Sequence, residues 1–119
     1  HLLRRFGTVV LEVLATIQAE PELREPLSGA PMYLKAEITY AVTHEGAIHL
    51  EDVLMRRTRI SIDTSDRGVI AAREVAELMS QVLHWSDAER ESEIARYIET
   101  IAAERRAQQQ LTDEAALRA

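Results

Sequence analysis

All three prolines of this chain, Pro21, Pro26 and Pro31, fall in one stretch, and only 4 glycines occur in the 119 residues. Proline locks φ and removes a backbone donor, and glycine loosens φ, so the two residues punctuate regular structure. Outside that stretch the chain therefore runs in long uninterrupted segments. The clearest covers residues 69–83. There Ala72, Val75, Leu78, Met79, Val82 and Leu83 line one side, and Arg73, Glu74, Glu77 and Gln81 the other. The same 3.6-residue period recurs over 8–19, 33–45, 49–58 and 87–103. The pattern predicts an all-α fold, a single compact bundle of about five to six helices with little or no sheet. The length suits one core. Aromatics make up only 4% of the residues, so that core must be built from Leu, Ile, Val and Ala.

Local signals set the expected boundaries. Gly7 reads as the residue after a helix and Thr8 as the cap of the next, whose face is Val10, Val13, Leu14 and Ile17. Residues 20–32 read as a loop, pinned by Leu23 and Leu27 and turning at Ser28-Gly29. Gly46 permits the turn that ends segment 33–45. Residues 61–67 are polar and rich in capping side chains. Ile60 and Ile62 alternate around Ser61, which suits a short extended piece. Trp85 plugs a helix junction, and Ser86-Asp87-Ala88-Glu89 has the spacing of a capping box. Ile94, Tyr97, Ile98 and Ile101 form the buried face of the last helix. Beyond Ala103 the stripe fades, so residues 1–103 read as the domain and 104–119 as a weakly packed helical or frayed tail. The chain opens on His1, and Leu2-Leu3-Arg4-Arg5 resembles the last turn of a helix with no cap before it. This suggests a fragment of a longer protein.

Two charges fall where apolar residues belong. On a helical wheel over 33–45, Leu34, Ile38, Ala41 and Glu45 share a stripe; over 49–58, Leu50, Val53, Leu54 and Arg57 do. A charge facing a core needs a partner. Glu45 is therefore expected to be buried and bonded to Arg57, or to Arg56 if the second helix is rotated by one residue. Asp52 and Arg56, four apart, should pair along the helix. Glu45, Arg57, Asp52 and Arg56 make up this structural polar knot.

Chemistry is harder to find. His44-Glu45-Gly46-Ala47-Ile48-His49 approaches the H-E-x-x-H motif, but its histidines are five apart, about 140° round a helix, with a glycine between. No metal site is assigned. The sequence has no G-x-G-x-x-G, no P-loop and no G-x-S-x-G, so no catalytic or cofactor-binding residue is assigned either. Glu12, Glu74, Glu77 and Glu99 read as solvated carboxylates, and Tyr33, Tyr40 and Tyr97 as core fillers with wet hydroxyls. The net charge of −6 argues against nucleic acid as the main partner. No apolar run approaches ~18 residues, so none would span a membrane. The absence of cysteine removes disulfide and thiolate chemistry.

One resemblance adds to this. His44-Glu45, then Leu50-Glu51-Asp52-x-Leu54-x-Arg56-Arg57-Thr58-Arg59, is similar to a run in the C-terminal helical domain of FAD-dependent glycerol-3-phosphate dehydrogenases. The opening HLLRRFGTVVLEVL with PELREPL, and the LMSQVLHWSDAER junction, resemble the flanking parts of that domain. The similarity covers roughly residues 1–100. At the capping position before Leu50 the family would carry Thr; His49 departs from it. The resemblance implies a non-catalytic accessory domain. Its partner would be the N-terminal FAD and substrate domain of the same chain. The parent would oxidise sn-glycerol 3-phosphate to dihydroxyacetone phosphate and pass electrons through FAD to a quinone. It would sit at the cytoplasmic face of the membrane, while this fragment would bind no flavin itself. The competing readings are a helix-turn-helix DNA-binding module, formed by 33–45, Gly46 and the arginine-bearing 49–59, and a free-standing protein-interaction module.

Overall fold

The computed structural model describes residues 10–118. Helix α1 (Val10–Ala19) leads into a 3-10 turn at Pro21–Arg24, with Pro at its start, where no amide donor is needed. A small antiparallel hairpin follows, β1 (Pro26–Leu27) and β2 (Ala30–Leu34). Then come α2 (Lys35–Thr43), a π-helical segment at Asp52–Arg57, the single turn α3 (Ile60–Asp63), α4 (Val69–Leu83) and α5 (Asp87–Arg118). The all-α expectation holds, with this hairpin as the only sheet among the described residues.

Helix α2 lies at the centre and packs on α4, α1, the 3-10 turn and the π segment. It is buried on nearly every side: Ala36, Glu37, Ile38, Tyr40, Ala41 and Val42 are all inside. The segment 69–83 is a helix with the boundaries read from the sequence, and Ala72, Val75, Leu78 and Met79 reach the core. Leu23 and Leu27 are buried, as their place in the proline-rich stretch suggested. Between α4 and α5 the chain reverses at His84, held at φ 59. The Ser86 capping box is complete: the Ser86 N–H donates to Glu89 at 3.0 Å and the Glu89 N–H to Ser86 Oγ at 3.1 Å.

Several expectations change. Residues 20–32 are not a plain loop. Ser28 and Gly29 form a two-residue turn between Leu27 and Ala30, and the N–H of Lys35 extends the pairing to the carbonyl of Glu25 at 2.9 Å. The helix after it starts at Lys35 rather than at 33, because Tyr33 and Leu34 belong to β2. Ile60 and Ile62 sit in a helical turn, not an extended piece, with the Asp63 and Thr64 amides donating to Arg59 and Ile60 at 2.7 and 3.1 Å. Ile98 is exposed: Ile94, Tyr97 and Ile101 take the inward positions, and Ile98 falls on the flank. Leu14 is exposed too. Glu74, half-buried, also grips the hairpin tip, accepting from the N–H and hydroxyl of Ser28 at 3.1 and 3.0 Å. Helix α5 continues past the bundle to Arg118, and every residue from Arg105 to Arg118 is exposed. The Gly7–Thr8 break and the reading of residues 1–5 lie outside the described residues.

Candidate functional site

Of the polar knot proposed from the wheel, the Asp52–Arg56 pair is formed, but Glu45 and Arg57 do not meet. Glu45 is half-buried, its Oε1 shut from solvent with no hydrogen-bond partner among the described residues, while Arg57 is exposed, and no ion pair among the described residues joins them. Two backbone facts account for this. Helix α2 ends at Thr43, so Glu45 lies beyond it, next to Gly46 at φ 73, where a helical wheel no longer applies. The second segment is wound wider than an α-helix: the N–H of Thr58 donates to Val53 at 3.0 Å, five residues back. The inward positions become Leu50, Val53, Leu54 and Thr58 instead of Arg57. Thr58 enters the core with its hydroxyl bonded to the same Val53 carbonyl at 2.7 Å. Arg56 binds Asp52 at 2.7 Å, the i, i+4 pair read from the sequence, and lies 4.0 Å from Glu51. The buried carboxylate of this region is Glu37, 0% exposed, which accepts the Leu34 N–H at 2.7 Å and closes the start of α2. A one-stripe wheel misses it because α2 is buried on nearly every side, only Lys35, Thr39 and Thr43 remaining open to solvent. The clue was its place, three residues after the capping position Leu34.

Besides exposed pairs such as Arg73 with Glu91 at 2.8 Å, ionisable residues gather at three junctions. At the first, the N–H groups that open the π segment find distant acceptors. Asp52 accepts from Ile48 and His49 at 3.3 and 3.0 Å. Glu93, reaching over from α5, accepts from Leu50 at 3.2 Å and lies 3.0 Å from His49 Nδ1. Burial alone would raise the pKa of Asp52, but the His49 and Ile48 amides and Arg56 more than offset it and hold it below the usual value. Glu93 thus supplies an acceptor from another helix for the Leu50 amide, one of the donors left open where the segment begins.

At the second junction, the Tyr97 hydroxyl donates to the carbonyl of Arg67, a residue held at φ 59. The Arg67 guanidinium meets Glu104 at 2.6 Å. Burial pushes the Tyr97 pKa up to about 12, although Arg67 pulls the other way. Asp66 caps α4, accepting from Ile70 at 2.7 Å and Gly68 at 3.3 Å. Burial would raise its pKa too, but bonds from Ile70, Thr64 and Gly68 hold it low. At the third, His44 stacks on Tyr40 with ring centroids 4.6 Å apart, takes a 2.7 Å contact from Thr43 and lies 3.7 Å from Glu12.

Each junction ties one element to another, and the Thr43 hydroxyl that lies beside His44 donates to the Thr39 carbonyl at 2.9 Å. His44 and His49 serve separate junctions, and among the described residues no group of three or more His, Asp or Glu is placed to hold a metal ion. The phosphates of a flavin dinucleotide need clustered open backbone N–H groups in a glycine turn. Among the described residues Gly29 is pressed against Ala71, Gly68 lies under Ile60 and Tyr97, and Gly46 is open but stands alone.

A family profile described as the C-terminal domain of alpha-glycerophosphate oxidase matches residues 1–90. The chain belongs to that family. It is 48% identical over 113 residues to "Glycerol-3-phosphate dehydrogenase 2" of Mycobacterium tuberculosis, covering 95% of this chain and 19% of that protein. It is 47% identical, with the same coverage, to "Glycerol-3-phosphate dehydrogenase" of Mycobacterium leprae. The "Probable glycerol-3-phosphate dehydrogenase, mitochondrial" of Dictyostelium discoideum is 31% identical over 79% of this chain and 15% of its own length. The chain thus spans about a fifth of the curated relatives it matches. No solved structure matches it. As a domain of this family it leaves the helix-turn-helix reading without support. Arg57 is exposed, as a DNA contact would need. What fails instead is the recognition helix: 52–57 is a short π-helical segment whose Arg56 is held by Asp52.

Proposed function

We propose that this chain is the C-terminal helical domain of a FAD-dependent glycerol-3-phosphate dehydrogenase, an accessory domain that braces the catalytic part. The parent oxidises sn-glycerol 3-phosphate to dihydroxyacetone phosphate and passes the electrons through FAD to a quinone, from a peripheral position on the cytoplasmic face of the membrane. The observation that carries this reading is the 48% identity to a glycerol-3-phosphate dehydrogenase over 95% of the chain, set within 19% of the relative's length. The three junctions support a structural role for this part, because their charged groups are spent on capping and tying helices. Among the described residues no helix is long and apolar enough to cross a membrane, which is compatible with a peripheral position. Residues 1–103 form the domain proper and 104–119 a weakly packed tail, a division supported by the exposure of every residue from Arg105 to Arg118.

The test is glycerol 3-phosphate-dependent reduction of a quinone analogue. The full-length parent should turn over. This chain alone should not, and it should emerge from gel filtration without flavin absorbance. A parent that leaves glycerol 3-phosphate untouched while reducing the dye with another substrate would overturn the reading.

A further inference from the structure

Helix α1, VLEVLATIQA, is apolar along most of its length, yet of its described side chains only Val13 is fully buried. Leu11 is 72% exposed and Leu14 45%. Together with Ala15 they line an open groove of about 600 Å³, completed by Arg24 and Leu34. The other exposed large apolar residues of the bundle, Met32, Ile48, Ile62, Ile70 and Ile98, are spread over different elements. Apolar side chains scattered singly on a surface are ordinary; a contiguous apolar groove marks a contact.

What lies outside the structure points to the occupant. The family is a C-terminal domain, and the relatives carry about four-fifths of their length beyond the matched part. A C-terminal domain is joined to that remaining polypeptide through its N-terminal end, and helix α1 is the described element nearest that end in sequence. We propose that the α1 groove is the face on which this domain docks against the N-terminal catalytic part of its own polypeptide, Leu11 and Leu14 seating in an apolar surface there. This rests on the reading of the chain as a dehydrogenase domain. A ten-residue helix is ~15 Å long, and contacts between domains of one chain bury about 600–1,500 Å². Helix α1 would therefore supply the apolar centre of the contact, with Arg24 at its rim suited to a carboxylate or a backbone carbonyl.

The test uses the full-length parent with a benzophenone-bearing amino acid at Leu14, and in a second variant at Leu11. Irradiation followed by peptide mapping should give a cross-link to a peptide upstream of residue 1. A cross-link confined to residues 1–9, a cross-link between two copies, or none from either position would overturn the proposal. As an independent reading, Leu11→Cys in the folded parent should react with a maleimide at least about tenfold more slowly than in the urea-unfolded parent, because the thiolate is covered. A rate within about twofold of the unfolded one would also overturn it. Turnover of glycerol 3-phosphate is measured on the same preparations. Its absence from the wild-type parent counts against the functional reading, whereas turnover without the cross-link counts against the docking face alone.

Discussion

Replacing Gly29 with alanine tests whether the hairpin is held to α4 by packing rather than by turn geometry. The φ of Gly29 lies outside the left-handed region, so alanine meets no backbone strain there. Space is what it lacks. A Cβ at this position would stand 2.6 Å from the Ala71 nitrogen, 3.0 Å from its Cα and 2.9 Å from Ile70 Cγ2. Two of these atoms are helix backbone and cannot rotate away. The tip must lift, which stretches both bonds from Ser28 to Glu74. Overpacking of this kind costs about 1–3 kcal/mol. Weakening two partly solvated bonds to a carboxylate adds about 1 kcal/mol, for an expected loss of about 2–4 kcal/mol. In a chain of this length that lowers Tm by roughly 10 °C. Gly46→Ala is the control. Nothing lies within 4 Å of its Cβ, but its φ is 73, so it should cost only about 1 kcal/mol. Thermal unfolding followed by circular dichroism at 222 nm compares the two. Adding Ile70→Ala to Gly29→Ala should restore little, since the Ala71 backbone still blocks the site. Gly29→Ala melting no lower than Gly46→Ala, or full rescue by Ile70→Ala, would refute the reasoning.

Glu93→Ala should strip the acceptor from Leu50 and His49 and cost about 1–2 kcal/mol, read as a lower urea midpoint at unchanged slope, with Glu93→Gln losing less. Tyr97→Phe should cost about 1–2 kcal/mol by leaving the Arg67 carbonyl without its donor. Because burial raises the folded pKa of Tyr97 to about 12, its contribution is complete below the unfolded value near 10 and is lost as pH rises from there towards 12. Tyr97 should therefore ionise late in an absorbance titration at 295 nm, alongside Tyr40, whose pKa is raised as well, chiefly by desolvation. Asp52 and Asp66 are shifted the other way, so their contribution is present above the unfolded value near 3.9 and is lost as pH falls through the lower folded values. The melting temperature should fall below about pH 4, and Asp66→Asn should flatten that fall. A double-mutant cycle on Glu45→Gln and Arg57→Met should give a coupling energy within error of zero; a coupling of about 1 kcal/mol or more would contradict the geometry described.

Much of the architecture was legible in the sequence because it depends on periods and punctuation. Residues 69–83 form a helix whatever surrounds them, since one face is apolar and the other charged. The Ser86 box starts α5 through bonds between residues three apart, and Gly46 and the proline cluster mark breaks through φ alone. The family likeness could be read for the same reason, as ordered local motifs. What the sequence did not reveal depends on objects distant along the chain. The hairpin at 26–34 exists because α4 offers Ala71 to pack against and Glu74 to hold Ser28. Thr58 rather than Arg57 enters the core because the backbone widens by one residue between Val53 and Thr58, which no fixed wheel contains. Glu37 is buried because α2 is surrounded, and Glu93 caps a segment 43 positions away. A local pattern states what a segment prefers. Which charge is buried, and which carboxylate satisfies which amide, is decided only when the helices close on one another and unpaired polar groups have to find partners.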